Sequence, residues 1–454
     1  AGATTDAGGA GGPIAAPPAR RRKMALLAGA VALTLVASVV VFDSGGRLAL
    51  PWPIGAASKG GTVAAAFPTV AVLPLVNLSG DPRRDYFSDG VTEDIISALG
   101  RFSGVRVMSR NAVQGFKGKS PSPQAIRDEL GARYILQGSV REAGTTLRVA
   151  VELSDADHGT LLWSERYDGS DSEVFEIQDR IARKIVGNLQ VQLTQLEQLR
   201  IFTKPTDSLE AYDLVLRARS LLDPPERSTN RQARDLLARA EALAPAYAEV
   251  FTALGEAEMD RVRYGWIEDT ADGLKRAETF GKRALASLDQ RAHSRAHALL
   301  VAVYTYQLRY DEALSEADRA IALNASDSTA LFERGAALLS VGRFDEAIAA
   351  MEEGKRFEPH AVRINLPFAY YLSGRYREVI DEAGTMLVRA PSMVALHAIR
   401  GAAQAELGNA NGARHEAEVV RRLSPYFQAE NFANRFANPD HASRIHEGLR
   451  KAGL

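Results

Sequence analysis

The chain has 454 residues, a formal net charge of −1 and no cysteine. That length suggests two or three domains, the near-zero charge gives no global argument for nucleic acid binding, and the lack of cysteine excludes disulfides, iron–sulfur clusters, thiolate zinc sites and cysteine nucleophiles. With 46% apolar and 24% charged residues, most of the chain can build packed cores.

Residues 1–23 are rich in Ala, Gly and Pro and nearly free of large apolar side chains, so they read as a disordered cytoplasmic tail or linker. The first residue is Ala1 rather than Met, which implies either a processed start or the C-terminal part of a longer chain. The tail ends in Arg20, Arg21, Arg22 and Lys23, and residues 24–42 then run without a charge. As a helix that run spans roughly 28 Å, the thickness of a bilayer core, and it predicts a transmembrane helix. A cleaved signal peptide fits less well, because its apolar part is about 7–15 residues long and follows no such leader. Four basic residues before the run and Asp43 after it place the N-terminus in the cytoplasm. The expectation is therefore a single-pass protein of a bacterial inner membrane, anchored through residues 24–42, with its C-terminal domains periplasmic. Residues 43–66, with Pro51 and Pro53, read as a linker.

An apolar run at 70–75 suits a buried strand. Ile95, Ile96 and Leu99 then fall at helical spacing over 92–99, with Thr92 as the candidate N-cap. A short strand at 105–108, a short helix at 123–130 and a strand at 134–140 follow. Leu147, Val149, Val151 and Leu153 alternate as in a half-buried strand. Residues 155–159 supply turn chemistry, and Leu161, Trp163 and Tyr167 share one parity on the returning strand. Phe175, Ile177, Ile181, Ile185 and Leu189 mark one face of a long helix. The order β-α-β-α-β-β-β-α predicts a compact α/β domain over 67–200.

Residues 208–426 are helical and repetitive. Equivalent positions at Ala313, Ala347, Val379 and Ala413 are separated by 34, 32 and 34 residues, and Pro359, Pro391 and Pro425 by 32 and 34. This is the period of tetratricopeptide (TPR) repeats. A small residue at the Ala347 position lets two antiparallel helices approach, and the proline stops the second helix. Ala233 with Pro245 fits a first repeat, and Leu254-Gly255 opens a second with an insertion near 264–272. The reading is about six repeats, the first two imperfect, with a C-terminal helical cap at 427–454. The fold class expected is thus α+β: a single transmembrane helix, a small α/β domain, and an all-α TPR superhelix.

Candidate chemistry is sparse. GFKGKS at 115–120 invites comparison with a phosphate-binding loop, but the motif needs a glycine where Val113 stands, and Pro121 and Pro123 follow where a helix should continue. His293 and His297 share a helix face and could bind metal, yet no third ligand or HExxH motif accompanies them, and ordinary helix-surface histidines are the better reading. Asp85, Asp89, Glu93 and Asp94 cluster around a helix start, where carboxylates either do acid–base work or complement the helix dipole; the structural reading is preferred. No catalytic residue, cofactor or metal site is assigned. The inner TPR face is the candidate partner site. Tyr306, Phe332, Leu339, Phe368 and Tyr371 fall at inner-helix positions and could anchor a protein or peptide. Packing between repeats accounts for them equally well.

Residues 70–82, VAVLPLVNLSGDP, and 85–95, DYFSDGVTEDI, resemble a domain related to the N-terminal domain of TolB and to the flagellar outer-membrane protein FlgO. LQGSVR at 136–141, LWSERYD at 162–168 and FEIQD at 175–179 continue that resemblance. Together with the expected span, the TPR repeats and the closing GLRKAGL at 448–454, the arrangement resembles the C-terminal part of bacterial class III adenylate/guanylate cyclases over about residues 20–454. The resemblance implies a regulatory role, with catalysis in an N-terminal cytoplasmic domain; related regulators carry a winged-helix DNA-binding domain there. Residues 1–23 hold neither, so no cyclase residue is carried over, and neither enzyme activity nor a nucleic acid partner is expected of this chain. The expected function is a membrane-anchored periplasmic sensory and protein-binding module of an adenylate cyclase-type signalling protein. A freestanding TPR scaffold of envelope complexes and the periplasmic half of a transmembrane winged-helix transcription regulator remain alternatives. Because one helix transmits poorly alone, a homodimer whose two spans shift together is also expected.

Overall fold

A computed structural model describes residues 67–189, 205–223, 225–433 and 438–454. Its first part is a mixed sheet. The strands are β1 (Thr69–Val72), β2 (Val76–Asn77), β3 (Arg106–Val107), β4 (Tyr134–Ala143), β5 (Thr146–Asp155) and β6 (Thr160–Ser170). The order across the sheet is β3-β1-β4-β5-β6, and β2 pairs with β4 beyond the end of β1. β1 is parallel to β3 and β4, as helical crossovers require, whereas β4, β5 and β6 form an antiparallel meander. Four helices belong to this part: α1 (Asp85–Gly100), α2 (Arg110–Val113), α3 (Pro123–Leu130) and α4 (Val174–Asn188).

The strand period of two divides β1 between two cores. Val70 and Val72 join Val91, Ile95 and Leu99 of α1, Ile177 and Ile181 of α4, and Leu147 to Leu153 of β5 on one face. Ala71 and Leu73 join Ala112, Ile126 and Leu130 on the other. Two local expectations change. Thr92 is not an N-cap but sits mid-helix, its hydroxyl donating to the Ser88 carbonyl (2.8 Å) and accepting from the Leu75 N–H (3.0 Å). Phe87 and Val91 extend the apolar spacing of Ile95 back toward Asp85, which starts the helix earlier. On β6 a register shift opposite Leu153 and Ser154 breaks the shared parity, leaving Leu161 58% exposed while Tyr167 is buried.

The second part is all-helical. Among the described residues it consists of six successive helix pairs: α5 (Leu209–Leu222) with α6 (Arg227–Leu243), α7 (Ala248–Arg263) with α8 (Thr270–Leu285), and α9 (His293–Tyr306) with α10 (Tyr310–Leu323). Then come α11 (Ser328–Ser340) with α12 (Phe344–Phe357), α13 (Asn365–Leu372) with α14 (Tyr376–Arg389), and α15 (Val394–Glu406) with α16 (Ala410–Leu423). Short α17 (Ala429–Ala433) and α18 (Pro439–Lys451) end the chain. Buried Ala313, Ala347 and Ala413 sit where paired helices meet. A Cβ on Gly335 of α11 would lie 3.1 Å from the Ala347 carbonyl of α12 and inside Met351, which shows how close the backbones come. The turns within the last three pairs use Gly342, Gly374 and Gly408 in the left-handed region, where only glycine is unstrained; the third pair puts Leu308 there, with φ 61°.

The expected transmembrane helix is corrected. Among the described residues no helix is long and apolar enough to cross a membrane, and residues 24–42 lie outside the described residues, as do 1–23, 43–66 and 190–200. The physical reason is length and polarity: the longest described helix, α6, has 17 residues and carries Arg227, Arg231, Arg234 and Arg239, whereas a crossing takes about 20 mainly apolar residues. The fold class is a small α+β sheet region followed by an all-helical, TPR-like region. The inner-membrane, periplasmic placement is withdrawn on the same finding, and the dimer of paired spans rested on that helix.

Candidate functional site

The first helices of the pairs carry the five residues expected to face a partner. Phe332 and Leu339 on α11, and Phe368 and Tyr371 on α13, are buried, while Tyr306 at the end of α9 is 47% exposed. The chain's own C-terminal segment covers the α13–α15 part of this face. The Phe368 ring lies 5.9 Å from Phe432, and Phe344 lies 5.2 Å from His441 of α18. Gly448 passes so close to Tyr371 that a Cβ there would fall inside the phenol hydroxyl. Tyr371 donates to Glu406 (3.3 Å), which also holds Lys451 of α18 at 3.1 Å. Burial, with Glu406 nearby, pushes the Tyr371 hydroxyl well above its ordinary range. Phe332 is covered by Arg363, 4.8 Å above its ring. Four of the five aromatic and apolar side chains are therefore occupied in packing.

The sheet region covers the other end of the face. The Ser109 N–H donates to the Phe357 carbonyl (2.8 Å), the Val107 N–H to Ser326 Oγ (3.2 Å), and Asn111 Nδ2 to Glu358 Oε1 (3.2 Å). Tyr212 of α5 stands edge-on to Phe175 of α4, with centroids 4.7 Å apart, and its hydroxyl donates to Asp94 of α1 at 2.6 Å. Gln178 donates to the same carboxylate at 3.0 Å.

Beside this contact lies a cluster of alternating charge. Glu93 of α1 accepts from Arg295 of α9 (2.5 Å) and lies 3.5 Å from Arg219 of α5 and 3.8 Å from Arg110 of α2. Arg295 also pairs with Glu256 (2.5 Å), and Arg219 with Glu249. Burial alone would push the Glu93 carboxyl up; Arg219, Arg295 and Arg110 outweigh it and hold it at about 2. Glu93, Arg110, Arg219 and Arg295 each have more than one opposite neighbour, the condition under which buried ion pairs withstand their desolvation.

Between α1, the β3–α2 segment and helices α7, α9 and α11 is a cavity of about 280 Å3. Arg295 and Glu93 form part of its wall, as do Arg263 with Glu333 (2.7 Å) and Arg291, which pairs with Asp179 at 2.9 Å. Two lining charges differ. Arg101, at the C-terminal end of α1, and Asp260 of α7 have no side-chain hydrogen bond or ion pair among the described residues. Burial pulls the Arg101 guanidinium down to about 10 and pushes the Asp260 carboxyl up to about 6.

The residues singled out for chemistry have structural partners. Asp85 accepts from Asn77 (2.8 Å), and Asp89 pairs with Lys117 of the GFKGKS segment at 2.6 Å. Glu93 and Asp94 hold the two regions together. His297 and His293 are not free surface groups: one pairs with Glu316 and the other meets the Ser287 carbonyl at 3.1 Å. Among the described residues no group of three or more His, Asp and Glu is placed to hold a metal ion. Sequence reasoning missed Arg101, Arg110, Arg219, Asp260 and Arg295. Arg219 alone carries a local signal, an isolated charge beside the buried Val215 and Ala218 of its helix.

Residues 66–184 match the family described as HilA/YgeH-like transcriptional regulator, second domain. The TolB-related description expected for this region is not the one that matches. Over 248 residues, 55% of this chain, the sequence is 36% identical to a Rhizobium meliloti protein named "Putative adenylate cyclase 3", and the match spans 42% of that protein's length. The chain thus aligns with less than half of this relative. Among solved structures it is similar to YrrB, titled a TPR protein with an unusual peptide-binding site, at 16% identity over 39% of this chain and 94% of that chain, with a TM-score of 0.30. It is also similar to the lipoprotein GNA1162 from Neisseria meningitidis at 18% identity over 26% and 99%, with a TM-score of 0.22.

Proposed function

We propose that this chain is the regulatory, protein-binding part of an adenylate cyclase-type signalling protein, and that it acts by binding rather than by catalysis. The observation that carries this reading is the 36% identity to the cyclase-named relative over more than half of the chain. The geometry supports it: apart from Arg101 and Asp260, the arginines around the central cavity are paired with carboxylates and hold helices together, and helix pairs offer shape and side-chain anchors to a protein partner. Of the five inner-face residues, Tyr306 is the one with accessible surface for such a partner, and Phe332, Leu339, Phe368 and Tyr371 shape the helices behind it. The coding sequence upstream of Ala1 tests the reading first. A class III cyclase catalytic domain is the expected result. Deleting residues 67–454 from that protein is then expected to change its rate of cyclic nucleotide formation severalfold, and an unchanged rate would sink the proposal.

The match of residues 66–184 to a transcriptional regulator family favours a second reading, in which the same architecture controls a DNA-binding domain. A winged-helix domain encoded upstream would select it over the first.

A further inference from the structure

The cavity between the sheet region and the helical region is charged but not self-sufficient. Its other arginines lie within ion-pair distance of carboxylates, so their charge is already answered. Arg101 and Asp260 make no side-chain hydrogen bond or ion pair among the described residues, with each other or with any other group; Asp94, Asp179 and Asp289 act on Arg101, and Arg263 on Asp260, only from a distance, and less strongly than burial does. One stands on the sheet region's α1 and the other on α7 of the helical region, so opposite charges face the same space from different walls. An unpaired charge withdrawn from water is unfavourable. The shifts of both groups toward their neutral forms are the mark of burial without a sufficient partner. The lining also includes Leu299, Ala302, Ser97 and Thr329.

We propose that this cavity binds a small zwitterion of the amino-acid class, with its carboxylate on Arg101, its ammonium on Asp260 and its side chain against Leu299 and Ala302. A simple anion would leave Asp260 unanswered, and a simple cation would leave Arg101 so. A molecule carrying both ends answers both walls at once and ties the sheet region to the helical region. The size fits: about 280 Å3 lies at the small end of ligand sites. A planar guanidinium also suits a carboxylate, which it can grip through two parallel hydrogen bonds. The inference rests on the cavity alone and stands whichever regulatory reading holds.

The test uses the full chain and isothermal titration with each of the twenty standard amino acids singly, with acetate and methylammonium as one-ended probes. At least one amino acid is expected to bind at one site and raise the melting temperature, while neither one-ended probe does. Arg101→Gln and Asp260→Asn are each expected to weaken that binding by about tenfold to a hundredfold, the range for a lost hydrogen bond to a charged group. Because both groups are unpaired without ligand, both variants should keep the wild-type circular dichroism spectrum. If either does not fold, the amide and the N-acetyl form of the bound amino acid, each lacking one charge, decide on the wild-type chain: both are expected to bind about tenfold or more weakly, and unchanged binding of both overturns the proposal. Binding of no amino acid overturns the proposal, as does binding unchanged in both variants. Full binding of acetate alone also overturns it, in favour of a plain anion site.

Discussion

The two covers of the inner helical face differ in how much charge accompanies their apolar contact. At the α13–α15 end the cover is the chain's own C-terminal segment, joined by Phe432 to Phe368 and by Gly448 to Tyr371. At the α5–α11 end the cover is the sheet region, and much of that contact is ionic, through Glu93, Arg219, Arg295 and Arg110. A mainly apolar cover is held by water exclusion and responds only weakly to pH and to moderate salt. A charged cover responds to both. Both contacts have an apolar core, since Phe87 and Ile177 share one buried cluster with Tyr212 and Val215, so the added charge is what makes the sheet-region contact the more adjustable of the two.

Breaking the apolar cover has the largest expected effect. Phe368→Ala should destabilise the chain by about 3–5 kcal/mol, the range for emptying a buried aromatic site, read from the urea midpoint. A loss below about 1 kcal/mol would mean that the C-terminal segment is not seated as described.

Breaking the ionic cover comes next. Glu93→Gln should cost about 2–3 kcal/mol, less than a fully orphaned pair, because Arg295 keeps Glu256 and Arg219 keeps Glu249. The pH dependence has a definite sign. The folded-state carboxyl titrates at about 2 against its usual 4.5, so its stabilisation is fully present above pH 4.5 and is lost as pH falls toward 2. Denaturation midpoints followed across that window should fall in wild type and fall less steeply in Glu93→Gln. Parallel curves would remove Glu93 from the account. Added salt should narrow the difference between the two proteins, while leaving the Phe368→Ala effect in place.

Two smaller changes sharpen the scaffold itself. Ala347→Leu forces a larger side chain into the α11–α12 contact and should cost about 1–3 kcal/mol, whereas Ala410→Leu, at an exposed helix start, should be close to neutral by thermal melting. Leu308→Gly relieves the left-handed strain at φ 61° and gives up only an exposed side chain, so it should stabilise by about 0.5–1 kcal/mol. A destabilised Leu308→Gly would show that the leucine makes a contact worth more than the strain.

How far the sequence could be read follows from the distance over which each signal acts. The repeat spacing, the small residue at Ala347 and the turn glycines are local, and they reappear as helix pairs. A further regularity of this kind was present but unused: His297 pairs with Glu316 and His397 with Glu416, each across 19 residues, the same first-helix to second-helix step in two repeats. The start of α1 was misread because Thr92 looks like a cap by residue type, while the Phe87 and Val91 spacing that extends the helix lies upstream of it. The uncharged run at 24–42 was read through hydropathy alone, and the described helices contain no span.

Periodicity of two and of 3.6 is a property of neighbours along the chain, so the sheet-then-helices order and the repeat register are written in the sequence alone. Which side chains meet across the fold is not. Glu93 and Arg295 are 202 residues apart, and Asp94 and Tyr212 are 118 apart. Their pairing, the burial of Phe368 and Tyr371 beneath the chain's own end, and the unanswered charges of Arg101 and Asp260 exist only once the two regions close on each other, because burial and charge compensation depend on distance in space and leave no period in the chain.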